Sequence, residues 1–276
     1  MLVAQRVKLW VEPLLYRTIT VQNSAKFFHL LRILRTKPPS FLASAVWHIH
    51  YAIPLPRESL VSADICAEVL ALCPGTTHVG TTVSFMGTRS RDAMSVLTNL
   101  QDLTTELGIL FEHTQPIDAR HRVFAHVTHL NLHDRMGLRS VRQRIWDAVP
   151  AMPSLTHLRM LSGDSIADAH IEHLLFSCPK LRILLLTLEG HWDEHFHRTR
   201  RVSDSRLVWA FVDEAYGRFW ADWTRHTRGE TCLWTMAEDV VRQRTMRQGS
   251  IPSAEAECIH LNPPPTPTER ASDEDS

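Results

Sequence analysis

The stretch Val127-Thr-His-Leu130-Asn-Leu132-His-Asp134 recurs as Leu155-Thr-His-Leu158-Arg-Met160-Leu-Ser162 and as Leu181-Arg-Ile-Leu184-Leu-Leu186-Thr-Leu188. Each copy reads apolar-x-x-Leu-x-apolar, the strand signature of a leucine-rich repeat. Weaker copies extend the series in both directions. The central apolar residue of each strand is then Ile19, Ile49, Val79, Leu103, Leu130, Leu158, Leu184 and Ala210, at separations of 24 to 30 residues. A strand, a turn, a helix and a return loop fit in about that length. The spacing predicts an α/β fold: an irregular leucine-rich-repeat solenoid with parallel strands lining the concave face, helices outside and a helical C-terminal cap. Three residues past the last apolar position of the motif (Leu132, Met160 and Leu186), where the usual repeat places Asn or Cys, stand Arg135, Gly163 and Glu189. The predicted curve is therefore irregular. An ordinary sheet of alternating strands and helices is the competing architecture.

Between the strands the apolar spacing changes to three and four, as helices require. Val3, Val7, Trp10 and Leu14 form one apolar face, with Pro13 expected to end or turn that helix. Ser24 is positioned to cap a helix through Leu34, which Pro38-Pro39 should stop. Further helices are expected at about 58–73, 90–98, 138–149 and 166–177, then at 213–226 and 231–247. The expected organisation is a solenoid over 1–189, a Trp-rich helical cap over 190–248, and a disordered Pro-rich, acidic tail over 249–276. Five of the eight Trp (Trp192, Trp209, Trp220, Trp223 and Trp234) fall in the cap region.

Lys plus Arg and Asp plus Glu both number 30, so the formal net charge is zero. That balance gives no reason to expect nucleic acid or an anionic membrane as partner. No apolar run is long enough for a membrane span, and residues 1–15 lack the uninterrupted apolar core of a signal peptide. The five Cys are odd in number and contain no C-x-x-C pair. They read as free thiols in a reducing compartment, which places the chain in the cytoplasm or nucleus.

Motifs for chemistry are sparse. No nucleophile elbow, Walker loop or dinucleotide fingerprint occurs, so no catalytic residue and no cofactor is expected. His191-Trp-Asp-Glu-His195 places two His and a carboxylate near one another, which is enough to consider zinc. The order is not H-E-x-x-H, and the segment reads as a solvated polar loop. A hydrolase-like or metal-binding protein using His191 and His195 is the alternative function. His170 and His173 read as surface or packing residues.

A protein-binding surface is better supported. If Leu130 and Leu132 point into the core, strand alternation turns His129, Asn131 and His133 outward, with His157 and Arg159 beside them. Those five form the predicted partner-binding patch on the concave face. At the third copy the outward residues Ile183 and Leu185 are apolar, which predicts a covering element, and the Trp-rich region is the candidate. Ser272 precedes Asp273-Glu-Asp275, an acidic setting suited to phosphorylation.

Residues Leu2 to Val21, Cys73-Pro74, the two Thr-His-Leu copies, Cys178-Pro-Lys-Leu181 and Leu233-Trp-Thr-Met-Ala-Glu238 follow one another in an order that resembles the F-box and leucine-rich-repeat proteins of mushroom-forming fungi. The likeness runs over roughly residues 1–250, without the F-box. It implies a substrate-recognition module of a ubiquitin ligase that binds a protein partner. A ligase adaptor would join only through an F-box lying upstream. The chain is expected to act as a monomer.

Overall fold

The computed structural model describes residues 2–21, 24–52, 63–81, 87–112, 114–134, 138–161, 166–189, 202–212, 215–246 and 258–260. Nine parallel strands form one open sheet, and their spatial order is their order in the chain. They are β1 (Thr18–Val21), β2 (His48–Tyr51), β3 (His78–Gly80), β4 (Asp102–Thr105), β5 (His129–Leu132), β6 (His157–Leu161), β7 (Ile183–Glu189), β8 (Leu207–Val212) and β9 (Cys258–His260). Helix α1 (Leu2–Tyr16) precedes β1, and α2 (Ser24–Thr36), α3 (Pro39–Ala45), α4 (Ala63–Leu72), α5 (Thr88–Met94), α6 (Leu107–Leu110), α7 (Arg139–Ala148) and α8 (Asp168–Ser177) lie between strands. Two longer helices, α9 (Ala215–Arg228) and α10 (Leu233–Met246), separate β8 from β9.

The spacing predicts the register closely. Ile19, Ile49, Val79, Leu103, Leu130, Leu158 and Leu184 stand side by side from β1 to β7. The eighth expected position, Ala210, is wrong. Leu207 pairs with Leu184, whereas Ala210 pairs with Thr187 and faces the other side of the sheet. The strand is buried along its whole length, so apolar identity at 207–212 does not reveal its phase.

The aligned row is one face of the sheet, and it packs with Phe27, Leu34, Leu70, Ile145 and Leu174 from the helices into the main core. Local rules explain most of these helices. α2 ends at Thr36, ahead of Pro38-Pro39 as expected, and Pro39 also opens α3, because a first-turn proline lacks only an N–H that has no helical partner. α1 runs through Pro13 to Tyr16 without ending there. Gly75 is required by close approach: a Cβ would lie 1.8 Å from the Ala43 carbonyl oxygen. Backbone bonding between neighbouring units also has a substitute for the missing asparagine. Asp134, buried at the end of the β5 unit, accepts from the Leu107 and Gly108 N–H groups, both at 2.7 Å. It thereby caps α6 in the unit before it.

The second face is covered by α9 and α10. Ile183, Leu185, Val208, Ala210 and Ile259 pack there with Leu233, Trp234 and Ala237. The expectation of a covering element over Ile183 and Leu185 holds. The Trp-rich helices lie across the sheet face and not only at its end, as contacts from Trp220 and Trp223 to His50 on β2 show. The expected disorder from 249 does not hold at Cys258–His260, which pairs with Trp209, Ala210 and Phe211 as β9. Ile259 explains this: it is an apolar side chain under the covering helices, 3% exposed. Among the described residues no helix is long and apolar enough to cross a membrane.

Candidate functional site

One register position before the core row, the second face carries polar residues across six strands and an isoleucine on the seventh. Thr18, His48, His78, Asp102, His129, His157 and Ile183 stand in line. Parallel strands about 4.8 Å apart bring such residues into contact. The His48 and His78 rings meet edge-on at 4.7 Å, and those of His129 and His157 stack at 4.1 Å. Asp102 sits between the two pairs.

Threonines fix how these rings present themselves. Thr77, Thr128 and Thr156 place Oγ1 at 2.8, 3.0 and 2.8 Å from Nδ1 of the histidine that follows each. The same hydroxyls lie within hydrogen-bond reach of the carbonyl oxygens of Trp47, Gln101 and Thr128, just ahead of the preceding strands. Each hydroxyl thus holds Nδ1 of its histidine against the start of the strand, with Nε2 on the far side of the ring. On that far side His157 Nε2 lies 3.3 Å from a carboxylate oxygen of Glu238 of α10. The dipeptide Thr-His is thus a local device for aiming Nε2 away from the strand. Burial first of all pulls the His48 and His157 pKa values down to about 3 and that of His129 to about 4.

The covering helices complete the arrangement. His226 of α9 places Nε2 3.4 Å from Asp102 Oδ2, and Nδ1 lies 3.5 Å from the Cys232 sulfur just ahead of α10. Burial opposes charge on His226, but the contacts with Asp102 and Cys232 outweigh it and raise its pKa to about 10. Burial likewise works against ionisation of Asp102 and Cys232, yet the bonds with His226 leave both below their ordinary values. Asp102 is 1% exposed, and neither of its oxygens has a hydrogen-bond partner of normal geometry among the described residues.

The order thiol, imidazole, carboxylate is also that of cysteine nucleophiles. Cys232 is only 1% exposed, however, so an acyl donor cannot reach its sulfur in this arrangement. The ligand atoms of His78, Asp102 and His226 lie within 4.8 Å of one another, which makes them a candidate metal group.

A second polar row lies one pleat further along. Arg159 donates to Thr187 Oγ1 at 3.0 Å and to Asp222 Oδ2 of α9 at 2.9 Å. Asp222 Oδ1 accepts the Leu233 N–H at 2.7 Å, where α10 starts. The pair is buried, with side chains 5% and 6% exposed. His50 is flanked by Trp220 at 3.9 Å and Trp223 at 4.8 Å. The indoles close over Gly80, where a Cβ would meet Trp220, His50 and Trp223 at 3.1 to 3.3 Å.

The five residues expected to form an open partner-binding patch do share one face. Their exposure is corrected: Asn131, His157 and Arg159 are 3%, 3% and 4% exposed, and His129 and His133 are half-buried against Trp234 and Trp220. Alternation identified the face, but the chain's own helices occupy it. His191, His195 and Ser272 lie outside the described residues. His170 stacks on Trp146 at 5.8 Å, a packing role, and His173 is exposed. The residues that sequence reasoning passed over are His78, Asp102, His226, Cys232 and Asp222. His48, His78 and Asp102 were accessible by reading the position before each central apolar residue. His226 and Asp222 carry no such signal, because nothing local says which strand a distant helix will meet. No family model matches the chain, and no curated protein or solved structure resembles it at a significant level.

Proposed function

We propose that the chain is a non-enzymatic protein–protein interaction module on an irregular leucine-rich-repeat solenoid, of the kind that recognises substrates for F-box ubiquitin ligases. One observation carries the reading. α1 presents Val7, Trp10, Val11, Leu14 and Leu15 to solvent at 49%, 73%, 42%, 66% and 73% exposure. These positions follow the i, i+3, i+4, i+7, i+8 pattern by which an amphipathic helix lies in an apolar groove. Isolated exposed apolar residues are ordinary, but a contiguous stripe marks an interaction surface. The helix itself is held: Lys37 bonds Glu12, and Tyr16 packs edge-on against Phe41 at 5.4 Å. The partner is a separate protein offering an apolar surface to α1. A ligase adaptor would join only if an F-box lies upstream. The sequential parallel strands, the matched register and the burial of four free thiols support a scaffold working in the cytoplasm or nucleus.

The test is affinity purification with mass spectrometry, comparing the wild-type chain with Trp10→Glu/Leu14→Glu. Both positions are exposed, so the variant's Tm should stay within about 2 °C of wild type, because surface changes rarely exceed about 0.5 kcal/mol. A specific partner set recovered by wild type and reduced at least about tenfold in the variant is the expected result. Identical partners for both would sink the docking role of α1. Self-association of the wild type alone, seen by light scattering, would replace the outside partner with a second copy.

A further inference from the structure

The geometry points to a zinc-class divalent metal site formed by His78 Nε2 of β3, a carboxylate oxygen of Asp102 of β4 and His226 Nε2 of α9, which fastens the covering helices to the sheet. This inference does not rest on the interaction reading above. Three observations converge on it. The three ligand atoms lie within 4.8 Å of one another and come from three separate elements. The carboxylate of Asp102 is buried, neither oxygen has a hydrogen-bond partner of normal geometry among the described residues, and His226 Nε2 stands 3.4 Å from Oδ2. Both histidines are tethered at Nδ1, His78 by Thr77 Oγ1 at 2.8 Å and His226 by the Cys232 sulfur at 3.5 Å. Tethering one ring nitrogen so that the other aims inward is how proteins orient metal-bound imidazoles.

Two imidazoles and one carboxylate suit zinc, with bonds of about 2.0–2.2 Å in tetrahedral geometry. Such a site holds its ligand atoms roughly 3.3 Å apart, so atoms within 4.8 Å of one another must close by at most about 1.5 Å. His226 is the member free to move: its side chain is 21% exposed, whereas Asp102 is fixed in the sheet. That exposed side also leaves a fourth position for water. On binding, His226 releases its Nε2 hydrogen and the ion takes over its contact with Asp102. Cys232 lies behind the ring, on Nδ1, and acts as a positioning residue.

The experiment uses the full chain without a histidine tag, stripped with a chelator and titrated with Zn2+ by calorimetry. Binding of one ion per chain and a Tm rise of about 5 °C at hundredfold excess over Kd are expected. Asp102→Asn and His78→Gln should each weaken binding at least a hundredfold. Thr77→Val, which removes only the tether, should weaken it about tenfold. A His191→Ala/His195→Ala variant should bind as wild type does. Cobalt substitution supplies a readout that needs no variant: tetrahedral d–d bands and two paramagnetically shifted exchangeable N–H signals, one from each Nδ1. A wild-type chain that binds no ion overturns the site, leaving His226 and Asp102 as an ion pair alone. So does cobalt binding without the two shifted N–H signals, or undiminished binding in folded Asp102→Asn and His78→Gln variants.

Discussion

Arg159 shows how far one side chain's role depends on what lies above it. In the strand pattern it is an outward cation beside His157. In the structure it is a buried bolt between β6 and α9, joined to Asp222 and Thr187. Burying such a pair contributes little net stability, but removing one member strands the other charge, at a cost of about 3–5 kcal/mol. Arg159→Ala should therefore unfold at markedly lower urea than wild type. Arg225→Ala, the same chemical change on the exposed side of α9, should shift the midpoint by only about 0.5 kcal/mol equivalent. Equal small shifts in both would show that α9 is not clamped to the sheet. The same contrast separates the cysteines. Burial pushes the Cys66, Cys73 and Cys178 thiols up, while the bond to His226 leaves the equally buried Cys232 below its ordinary value.

Among elements, the three-residue β3 shows a strand shaped by its cover. Gly80 stands opposite His50 and lacks the side chain that every neighbouring strand has at this row. The two indoles of α9 come down over that gap. Gly80→Ala adds a methyl group where three rings already meet, and should destabilise by about 1 kcal/mol despite the better strand propensity of Ala. The shift should be absent from a background in which Trp220 and Trp223 are both Ala, a double-mutant cycle readable by urea denaturation. Persistence of the full cost in that background would place the strain in the strand itself. Much of the element level was legible. Period-two alternation and three- and four-residue helical spacing are local properties, so β1 to β7 and α2, α4, α7 and α8 emerge from them, with small differences in their ends. α3 and α6 did not emerge. α3 starts on a proline that also reads as a stop, and α6 is a single turn capped by Asp134 from a later unit.

At the scale of the whole molecule, the covered face makes acid its weak point. His50 is 2% exposed between Trp220 and Trp223, and burial pulls its pKa down to about 3. His133, stacked on Trp220, falls to about 3 through burial and then through Arg159 and His50. An unfolded histidine titrates near 6.5. Above that pH both states are neutral and the stability is complete. Below it the unfolded chain binds protons that the folded chain refuses, so stability falls as pH drops from about 6.5 towards 3. At pH 5 the loss is about 2 kcal/mol for each of the two residues. Urea midpoints at pH 7 and pH 5 measure it, and His50→Phe should remove about half of the decline attributed to the pair. An unchanged pH slope in that variant would remove His50 from the account.

The repeated apolar pattern was sufficient to specify the α/β class, the strand order and the register of seven strands, because each unit carries its own periodicity and each interval contains one return. It also identified which residues share the second face. It did not identify what that face meets. His129, Asn131, His133, His157 and Arg159 look the same in the sequence whether a partner or the chain's own helices lie over them. The choice rests on contacts such as Arg159 with Asp222 and Asp102 with His226, made across long chain separations. Contacts of that kind leave no local period, so the burial of the histidine row, the strength of its electrostatics and the convergence of His78, Asp102 and His226 arise only when α9 and α10 fold back over the sheet.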